Sequence, residues 1–327
     1  MTAAKTLVLG ASGFLGSHVT RRLVEAGREV RILVRKSSDM RATDGLQVEI
    51  FHGDVLDAES LAQAMQGCDR LFYCVVDTRA WLRDPAPLYR VNVDGLRNAM
   101  DAALAANIQR FVFTSTYGTI GINPSGVATE QDKFNWWDEA PDYIRCRVEA
   151  ENLFIEYCRD EGLPGVACCV GNTYGDGDYA PTPHGQLLAD VARSKMPVYW
   201  DGGGPVVGIR DAADAMLLAE EKGGVGERYI IAERWMDYGE LFQLAADAAG
   251  VKPPAIKIPT ALMYAVSGIS DVLSRIRGRD SKISIASLKC SRMLPNVESS
   301  KAQSELGWQP RPTERSIEEA VAFYLSH

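Results

Sequence analysis

Three glycines at three-residue spacing, Gly10, Gly13 and Gly16, follow the first apolar run of the chain and precede a stretch with helical periodicity. Glycine at the first position permits a tight turn, the second lets the backbone approach a pyrophosphate, and the third allows helix and strand to pack closely. The helix that begins there offers N–H donors and the positive end of its dipole to an anion. The motif therefore predicts a phosphate-binding turn, with a glycine-rich loop that binds nothing as the alternative.

The elements around this turn are predicted from short apolar runs that alternate with longer amphipathic stretches. Such alternation is typical of βαβ units and a parallel sheet, and strands that are apolar throughout indicate a sheet covered on both faces. The predicted strands are 6–9, 30–34, 48–51, 70–76, 111–114, 165–170 and 227–232; the predicted helices include 61–65, 91–106, 142–159 and 238–249; residues 175–185 and 202–205 are predicted to be loop or turn.

Composition excludes several classes of protein. The chain has 327 residues, which suggests two domains or one large domain, and its hydrophobic fraction of 46% is that of an ordinary globular protein. With 35 Lys and Arg against 43 Asp and Glu, the net charge is −8. An acidic chain without basic runs is a poor nucleic-acid ligand, so no nucleic-acid partner is expected.

Cysteine and histidine usage predicts neither a disulfide framework nor a metal site. The seven cysteines are odd in number and form no C-x-x-C pair, and the four histidines are scattered. We expect buried thiols in a reducing compartment. No signal peptide and no apolar run of about 18 residues is recognised, so we expect a cytoplasmic protein without a membrane span. The apolar stretch 261–276 is predicted to be a helix that covers the substrate pocket, with a membrane-surface helix as the alternative.

Several short sequence segments along nearly the whole chain resemble the extended short-chain dehydrogenase/reductases of the NAD(P)-dependent epimerase/dehydratase superfamily. Within that superfamily the chain is most similar to the dihydroflavonol-reductase-like branch. The order and spacing of these segments, rather than any single one, make the resemblance specific. The segments are 10–16, 53–55, 67–73, 91–95, 111–117, 226–231 and 300–308.

The resemblance implies an α/β protein with a Rossmann-type doubly wound parallel sheet and a small, interleaved C-terminal substrate lobe. We expect residues 1–173 to form the NADP-binding domain, with its sheet completed by parts of 206–250. Residues 174–205 and 251–327 would form the lobe. Relatives of this type are often dimers, so a homodimer is left open.

The resemblance also implies a catalytic tyrosine, a cation four residues later and a hydroxyl donor. Tyr143, Arg147 and Thr116 occupy these positions, and Arg147 departs from the lysine of the family. Residues four apart on a helix share a face, so Arg147 is expected to lower the Tyr143 pKa from about 10 toward working pH. Arginine keeps the charge but does not release a proton, so a proton relay through it is impaired. Ser115 is the fallback for the hydroxyl.

NADP(H) is predicted in preference to NAD(H). Arg35 and Lys36 follow the second strand, where an NAD enzyme usually carries an acidic residue for the ribose 2′-hydroxyl. Arginine can grip a 2′-phosphate through two hydrogen bonds and stack on adenine. The residues expected to contact the cofactor are Gly10, Ser12, Gly13, Phe14, Leu15, Gly16, Arg35, Lys36, Asp54, Val55, Cys74, Val75, Val76, Ser115, Tyr143, Arg147 and Thr173.

Aromatic residues concentrate in three segments expected to face the substrate, 77–87, 118–142 and 174–207. This concentration suggests an apolar pocket that accepts rings. The predicted function is NADPH-dependent reduction of a ketone or aldehyde, or the reverse; the alternatives are a nucleotide-sugar epimerase or dehydratase and a non-catalytic NADP-binding sensor or scaffold. The expected substrate residues are Trp81, Thr116, Tyr117, Trp136, Trp137, Tyr174 and His184.

Overall fold

The computed structural model describes residues 5–292 and 294–327, so the first four residues and residue 293 of the predicted domain ranges lie outside it. The strands are β1 (Lys5–Leu9), β2 (Val30–Val34), β3 (Glu49–His52), β4 (Cys68–Tyr73), β5 (Arg110–Thr116), β6 (Gly165–Val170), β7 (Asn172–Tyr174), β8 (Val198–Trp200), β9 (Gly203–Gly208), β10 (Arg228–Ile231), β11 (Arg234–Asp237) and β12 (Ile256–Ile258). The helices are α1 (Phe14–Glu25), α2 (Ala58–Met65), α3 (Ala86–Tyr89), α4 (Gly95–Ala105), α5 (Asp142–Asp160), α6 (Pro183–Ala192), α7 (Ile209–Lys222), α8 (Tyr238–Ala249), α9 (Thr260–Arg277), α10 (Ile285–Cys290) and α11 (Thr313–Ser326).

Seven parallel strands form the central sheet in the order β10-β6-β5-β4-β1-β2-β3. Side chains alternate between the two faces of each strand, so in β1 Leu7 and Leu9 pack in one core and Val8 in the other. Helices α2, α4 and α5 contribute to the first core, and α1 and α7 to the second. This is the covered parallel sheet that the apolar strands predict, and the Rossmann-type α/β fold is confirmed.

Chain order reverses at the centre of the sheet, because β1 leads outward to β2 and β3 before the chain crosses over to β4. At such a switch point the loops after neighbouring strands diverge and leave a crevice at the carboxyl ends of the strands. The loops after β1 and β4 carry the predicted phosphate turn and residues 74–76, and β5 ends at Thr116. The topology therefore brings separate sequence motifs to one edge.

A second apolar cluster lies outside the central sheet. Helices α6, α8 and α11 pack together through residues such as Leu188, Phe242 and Ile317, beside a three-stranded sheet in the order β11-β9-β7. In the sequence, β10 of the central sheet lies between α6 and α8 of this second cluster. The central sheet and the second cluster therefore interleave along the chain. The division into a nucleotide domain and a substrate lobe remains a prediction.

Three predicted elements need correction, and so does the loop predicted over 175–185, whose last three residues belong to α6. The sequence pattern predicts a turn over residues 202–205, but Gly203 and Gly204 begin β9. A Cβ at Gly203 would lie 2.4 Å from the Met236 carbonyl oxygen, so glycine serves close strand approach here. Strand β4 ends at Tyr73 rather than at residue 76, and the helix predicted over 91–106 begins at Ala86 and contains a π-helical segment at Arg90–Asp94.

Five of the seven cysteines are buried and none forms a disulfide among the described residues. In the described ranges, every helix is too short or too polar to cross a membrane.

Trp308 is 1% exposed in the core beneath α7, and its indole N–H donates to the Asp211 carbonyl at 2.9 Å. Trp308→Ala is therefore expected to lower the free energy of unfolding by about 3–5 kcal/mol, since it removes a buried ring and leaves a cavity. Urea denaturation checks this value. Trp137→Ala, at a tryptophan 40% exposed, is the control, and an equal loss in both variants would contradict the assignment.

Candidate functional site

The glycine turn between β1 and α1 has the geometry that its spacing predicts. Gly10 has φ +83°, and a Cβ there would lie 2.7 Å from the Cys74 carbonyl carbon. A Cβ at Gly16 would lie 2.2 Å from the Gly10 carbonyl oxygen. Gly13 is exposed and is the N-cap residue of α1, and among the described residues no side chain caps this helix start. The backbone amides of the first turn, which includes Phe14 and Leu15, are therefore available to an anion.

The loop after β2 presents two exposed cations. Arg35 and Lys36 are exposed, and the Arg35 backbone amide donates to the Ser38 hydroxyl at 3.1 Å. Asp39, the nearest acidic residue in sequence, pairs with Arg41 through both carboxylate oxygens. Arg41 in turn lies over the Tyr179 ring at 4.9 Å. Hydrogen bonding to Arg41 lowers the Asp39 pKa, so this carboxylate stays charged and paired.

The loop after β4 lies beside the turn, and the loop after β3 packs against α4. Asp54 is partly buried and accepts a hydrogen bond from the Leu56 amide, and Val55 is buried against Gly95. The Cys74 amide donates to the Leu9 carbonyl at 2.9 Å, which extends the β1–β4 pairing to the edge of the turn. Val75 is partly buried and Val76 is exposed. Both loops follow strands of the central sheet and lie at its carboxyl edge.

Arg147 is 1% exposed, although it carries a charge. It lies on α5 one turn after Tyr143, donates from Nη2 to the Thr114 carbonyl at 2.6 Å, and places its guanidinium 5.4 Å from the centre of the Phe113 ring. Its Nε and Nη1 atoms are buried and have no hydrogen-bond partner among the described residues. Buried N–H groups without partners are costly, so this arginine is suited to a ligand that accepts hydrogen bonds.

Burial and charge act on Tyr143 in opposite directions. Burial raises the pKa of Tyr143 to about 12, while the nearby Arg147 charge lowers it by a smaller amount. The expectation of a net fall toward working pH is therefore wrong: the sign of the Arg147 effect is right, but removal of the phenolate from water outweighs it. Tyr143 is protonated at neutral pH and can donate a proton.

The two hydroxyls at the end of β5 face different surroundings because side chains alternate along a strand. The Thr116 hydroxyl oxygen accepts from the Gly118 amide at 3.3 Å, and its own proton has no acceptor among the described residues. Ser115 is buried and donates its proton to Glu151. We therefore leave Ser115 out of the proposed cofactor contacts and of the catalytic role, and keep Thr116.

Glu151 is the centre of a buried polar cluster that holds α5 against the sheet. Besides Ser115, it accepts from the Thr119 hydroxyl at 2.9 Å and pairs with Arg228 of β10 at 2.9 Å. Tyr143, Arg147 and Glu151 follow each other at four-residue spacing, so they share one face of α5. The ion pair thereby fixes the helix face that carries Tyr143 and Arg147.

Aromatic and apolar side chains form one wall around Tyr143. Trp136 is buried against Ile144 and Val148, and Tyr143 packs against the same cluster. Phe134 contacts Trp136, with ring centroids 4.9 Å apart. Phe134 and Trp136 precede α5 and belong to the predicted substrate segment 118–142. The part of this segment that contains them therefore lies beside Tyr143.

The other predicted substrate residues are more dispersed. Tyr117 and Tyr174 are buried, at 3% and 2% exposure, in two other apolar clusters, and the Tyr117 cluster shares Leu294 with this wall. Trp137 is exposed, Trp81 lies under the Lys282 ammonium, and Thr173 is partly buried in β7. His184 is in α6 rather than in a loop, and burial lowers its pKa to about 4. Tyr199 and Trp200, also in the predicted segment, pack against the cluster formed by α6, α8 and α11.

Three residues near the site have no role assigned from the sequence. Asn92, within the π-helical segment, exchanges hydrogen bonds with the Asp77 backbone at 2.9 and 3.0 Å and donates to Cys146 beside Tyr143. Its position in the family-like segment 91–95 is the sequence signal from which Asn92 could have been identified. Cys290 and Leu294 pack on the same cluster as Tyr143, but they are about 150 positions away in sequence and carry no motif.

Comparison with known proteins gives a consistent assignment. The model of the NAD dependent epimerase/dehydratase family matches residues 6–232. The chain is 32% identical to sterol demethylase protein B of Methylococcus capsulatus over 98% of each chain, and 28% identical to a putative dihydroflavonol 4-reductase of Synechocystis over 98% of this chain and 94% of that one. Among solved structures, it is similar to gox2253, with a TM-score of 0.87 and 35% identity over 98% of both chains.

Proposed function

The chain belongs to the NAD dependent epimerase/dehydratase family and is an NAD(P)-dependent oxidoreductase of the extended short-chain type, and from this premise we propose that it reduces a ketone or aldehyde of a hydrophobic or aromatic small molecule with NADPH, or catalyses the reverse oxidation. One observation carries the proposal. A protonated Tyr143 and a buried Arg147 with unpartnered N–H groups stand at the carboxyl edge of the sheet, beside an apolar aromatic wall.

The residues at the sheet edge fit a nicotinamide dinucleotide. Side chains at Gly10 and Gly16 would collide with backbone, so the close turn next to the start of α1 suits a pyrophosphate. The orphaned Nε and Nη1 of Arg147 suit the hydroxyls of the nicotinamide ribose. Asp54, Val55, residues 74–76 and Thr173 complete the proposed contacts.

We assign the preference for NADP(H) to Arg35 and Lys36. Both are exposed at the end of β2, where a 2′-phosphate would carry negative charge, and guanidinium forms bidentate hydrogen bonds with phosphate. The adjacent Asp39 supports the same preference, because its pairing with Arg41 reduces its repulsion of a phosphate.

Each polar side chain then has a distinct role. Bound NADPH supplies the hydride. The free hydroxyl proton of Thr116 orients the substrate carbonyl, and the Tyr143 phenol donates its proton to the oxygen as negative charge develops there. The Arg147 charge stabilises the tyrosinate that remains. Arg147 does not pass on a proton itself, so Tyr143 recovers its proton from another source.

The aromatic wall favours an apolar carbonyl compound over a nucleotide sugar. A sugar nucleotide needs cations for its diphosphate, and Arg193, Lys195 and Arg210, which lie in the predicted substrate region or next to it, form no obvious cluster in the sequence. Arg193 donates to the Tyr324 carbonyl at 2.5 Å, and Arg210 pairs with Asp176 at 3.2 Å. Both are engaged away from the wall around Tyr143, which supports the carbonyl-reductase proposal.

Reversal of charge at the end of β2 tests the cofactor preference. Arg35→Glu is expected to raise the Kd for NADPH by about a hundredfold or more, because a charge-assisted phosphate contact is replaced by repulsion. The Kd for NADH should change far less. Fluorescence titration of both nucleotides measures the ratio, with Arg159→Glu at a distant exposed arginine as control; equal weakening for both nucleotides would contradict the assignment.

Removal of one oxygen atom tests the proton donor. Tyr143→Phe is expected to lower kcat for carbonyl reduction by about 10²–10⁴-fold, the range for a general acid, with NADPH affinity nearly unchanged. Arg147→Lys, which keeps the charge, serves as the matched variant. Full activity in Tyr143→Phe would refute the mechanism. NADPH binding without turnover in the wild-type chain, restored by Arg147→Lys, would indicate the non-catalytic sensor instead.

The pKa of Tyr143 predicts different pH profiles in the two directions. Reduction needs the protonated phenol, which persists to a pKa of about 12, so its kcat/KM should show no fall due to Tyr143 between neutral and mildly alkaline pH. Oxidation needs tyrosinate, whose population below the pKa rises about tenfold per pH unit. Steady-state profiles in both directions measure this. An oxidation plateau reached near neutral pH would show that the Arg147 charge outweighs burial.

A further inference from the structure

Helix α9 is amphipathic in the reverse sense for a helix at the surface of a protein. Its buried residues are Ser267 and Ser274, seven positions apart on one face. Its large apolar residues lie on the other side and are exposed to solvent. They are Leu262, Val266, Ile269, Val272, Leu273 and Ile276, with exposures from 41% to 75%.

These side chains form one continuous stripe. Residues 262, 266, 269, 273 and 276 recur every three or four positions, so they line a single face over most of the length of α9. A lone exposed leucine needs no explanation, but a contiguous apolar patch marks an interaction site. The sequence-based expectation that this helix covers the substrate pocket does not account for the outward direction of the stripe.

The end of the stripe is strongly basic. Arg275, Arg277 and Arg279 are all exposed, and within the described residues none of them pairs with a carboxylate. The acidic residues nearby are engaged: Asp271 accepts from the Ile285 amide and Asp280 pairs with Arg83. This local charge contrasts with the net charge of −8 for the whole chain.

We propose that α9 docks lengthwise on the surface of an anionic phospholipid bilayer. The apolar stripe enters the boundary between headgroups and acyl chains, and the three arginines contact lipid phosphates and carboxylates. Helix α9 lies in the interface plane and does not cross the bilayer.

Charge complementarity favours an anionic lipid surface over a second copy of the chain as the partner of α9. Two parallel α9 helices would bring six arginines together. Two antiparallel helices would place each arginine cluster beside residues 260–270 of the other helix, which contain no carboxylate. An anionic lipid surface provides the charge complement that neither arrangement offers.

The docking surface adjoins the predicted substrate segment 77–87. Lys282, just after α9, lies 5.5 Å from the centre of the Trp81 ring, and Asp280 pairs with Arg83 at 3.3 Å. A docked bilayer would therefore lie beside one edge of the substrate region. The docking itself rests on α9 alone and does not depend on the proposed reaction.

Vesicle sedimentation with the full chain tests the proposal. Wild-type protein should sediment with phosphatidylcholine–phosphatidylserine vesicles and much less with phosphatidylcholine alone. Val266→Gln, Ile269→Gln and Leu273→Gln combined should abolish sedimentation. Replacement of all three arginines by glutamine should weaken binding to the anionic vesicles by about a hundredfold, since each basic residue near such a surface contributes about a fivefold factor.

Matched controls separate docking from general effects. Ile50→Gln and Val225→Gln remove apolar side chains that are 52% and 57% exposed elsewhere, and should leave sedimentation unchanged. Thermal unfolding confirms that each variant is folded, and NADPH oxidation with a water-soluble carbonyl compound measures the reaction separately. No sedimentation of wild type, or sedimentation that survives the stripe variant, would overturn the proposal. So would a dimer in light scattering that the stripe variant converts to monomer without any vesicle binding.

Discussion

The arrangement of this site depends on one buried charge, that of an arginine with no carboxylate partner among the described residues. A charge inside a protein costs several kcal/mol unless polar groups compensate for lost water. For Arg147 the protein supplies only the Thr114 carbonyl and the face of Phe113, and two further nitrogen positions have no partner among the described residues. The guanidinium can hold this position because α5 is fixed one turn further along, where Glu151 pairs with Arg228 of β10.

The same burial that makes Arg147 effective also limits what it achieves. In a medium of low dielectric constant, a nearby positive charge stabilises tyrosinate more strongly than it would in water. That medium also penalises the tyrosinate, and for Tyr143 the penalty is larger, so its pKa rises to about 12. The site is therefore suited to proton donation, the step that carbonyl reduction requires. Its neighbours Trp136 and Ile144, which exclude water, are also those that would contact an apolar substrate.

The edge of the central sheet and the outer face of α9 follow opposite rules. At the sheet edge, polar groups are buried and incompletely paired, which points to a ligand that accepts hydrogen bonds. Along α9, apolar groups are exposed and the serines are buried, which points to a partner that takes up apolar area. Both features depart from the normal distribution of side chains in a folded protein, and such departures are expected where function rather than stability selects the residue.

By itself, the sequence determined the architecture and the positions of the motifs. The period of apolar residues predicts the parallel sheet, and the glycine motif predicts the tight turn, in which a side chain at Gly10 or Gly16 would collide with backbone just after β4 or within the turn itself. Only the tertiary structure decided properties that depend on distant segments. It packed Tyr143 against residues from distant segments and so reversed the net direction of its pKa shift, joined Ser115 to Glu151, and brought Cys290 to the tyrosine. Burial and contact are sums over the whole fold, whereas periodicity and local spacing are properties of short stretches of chain.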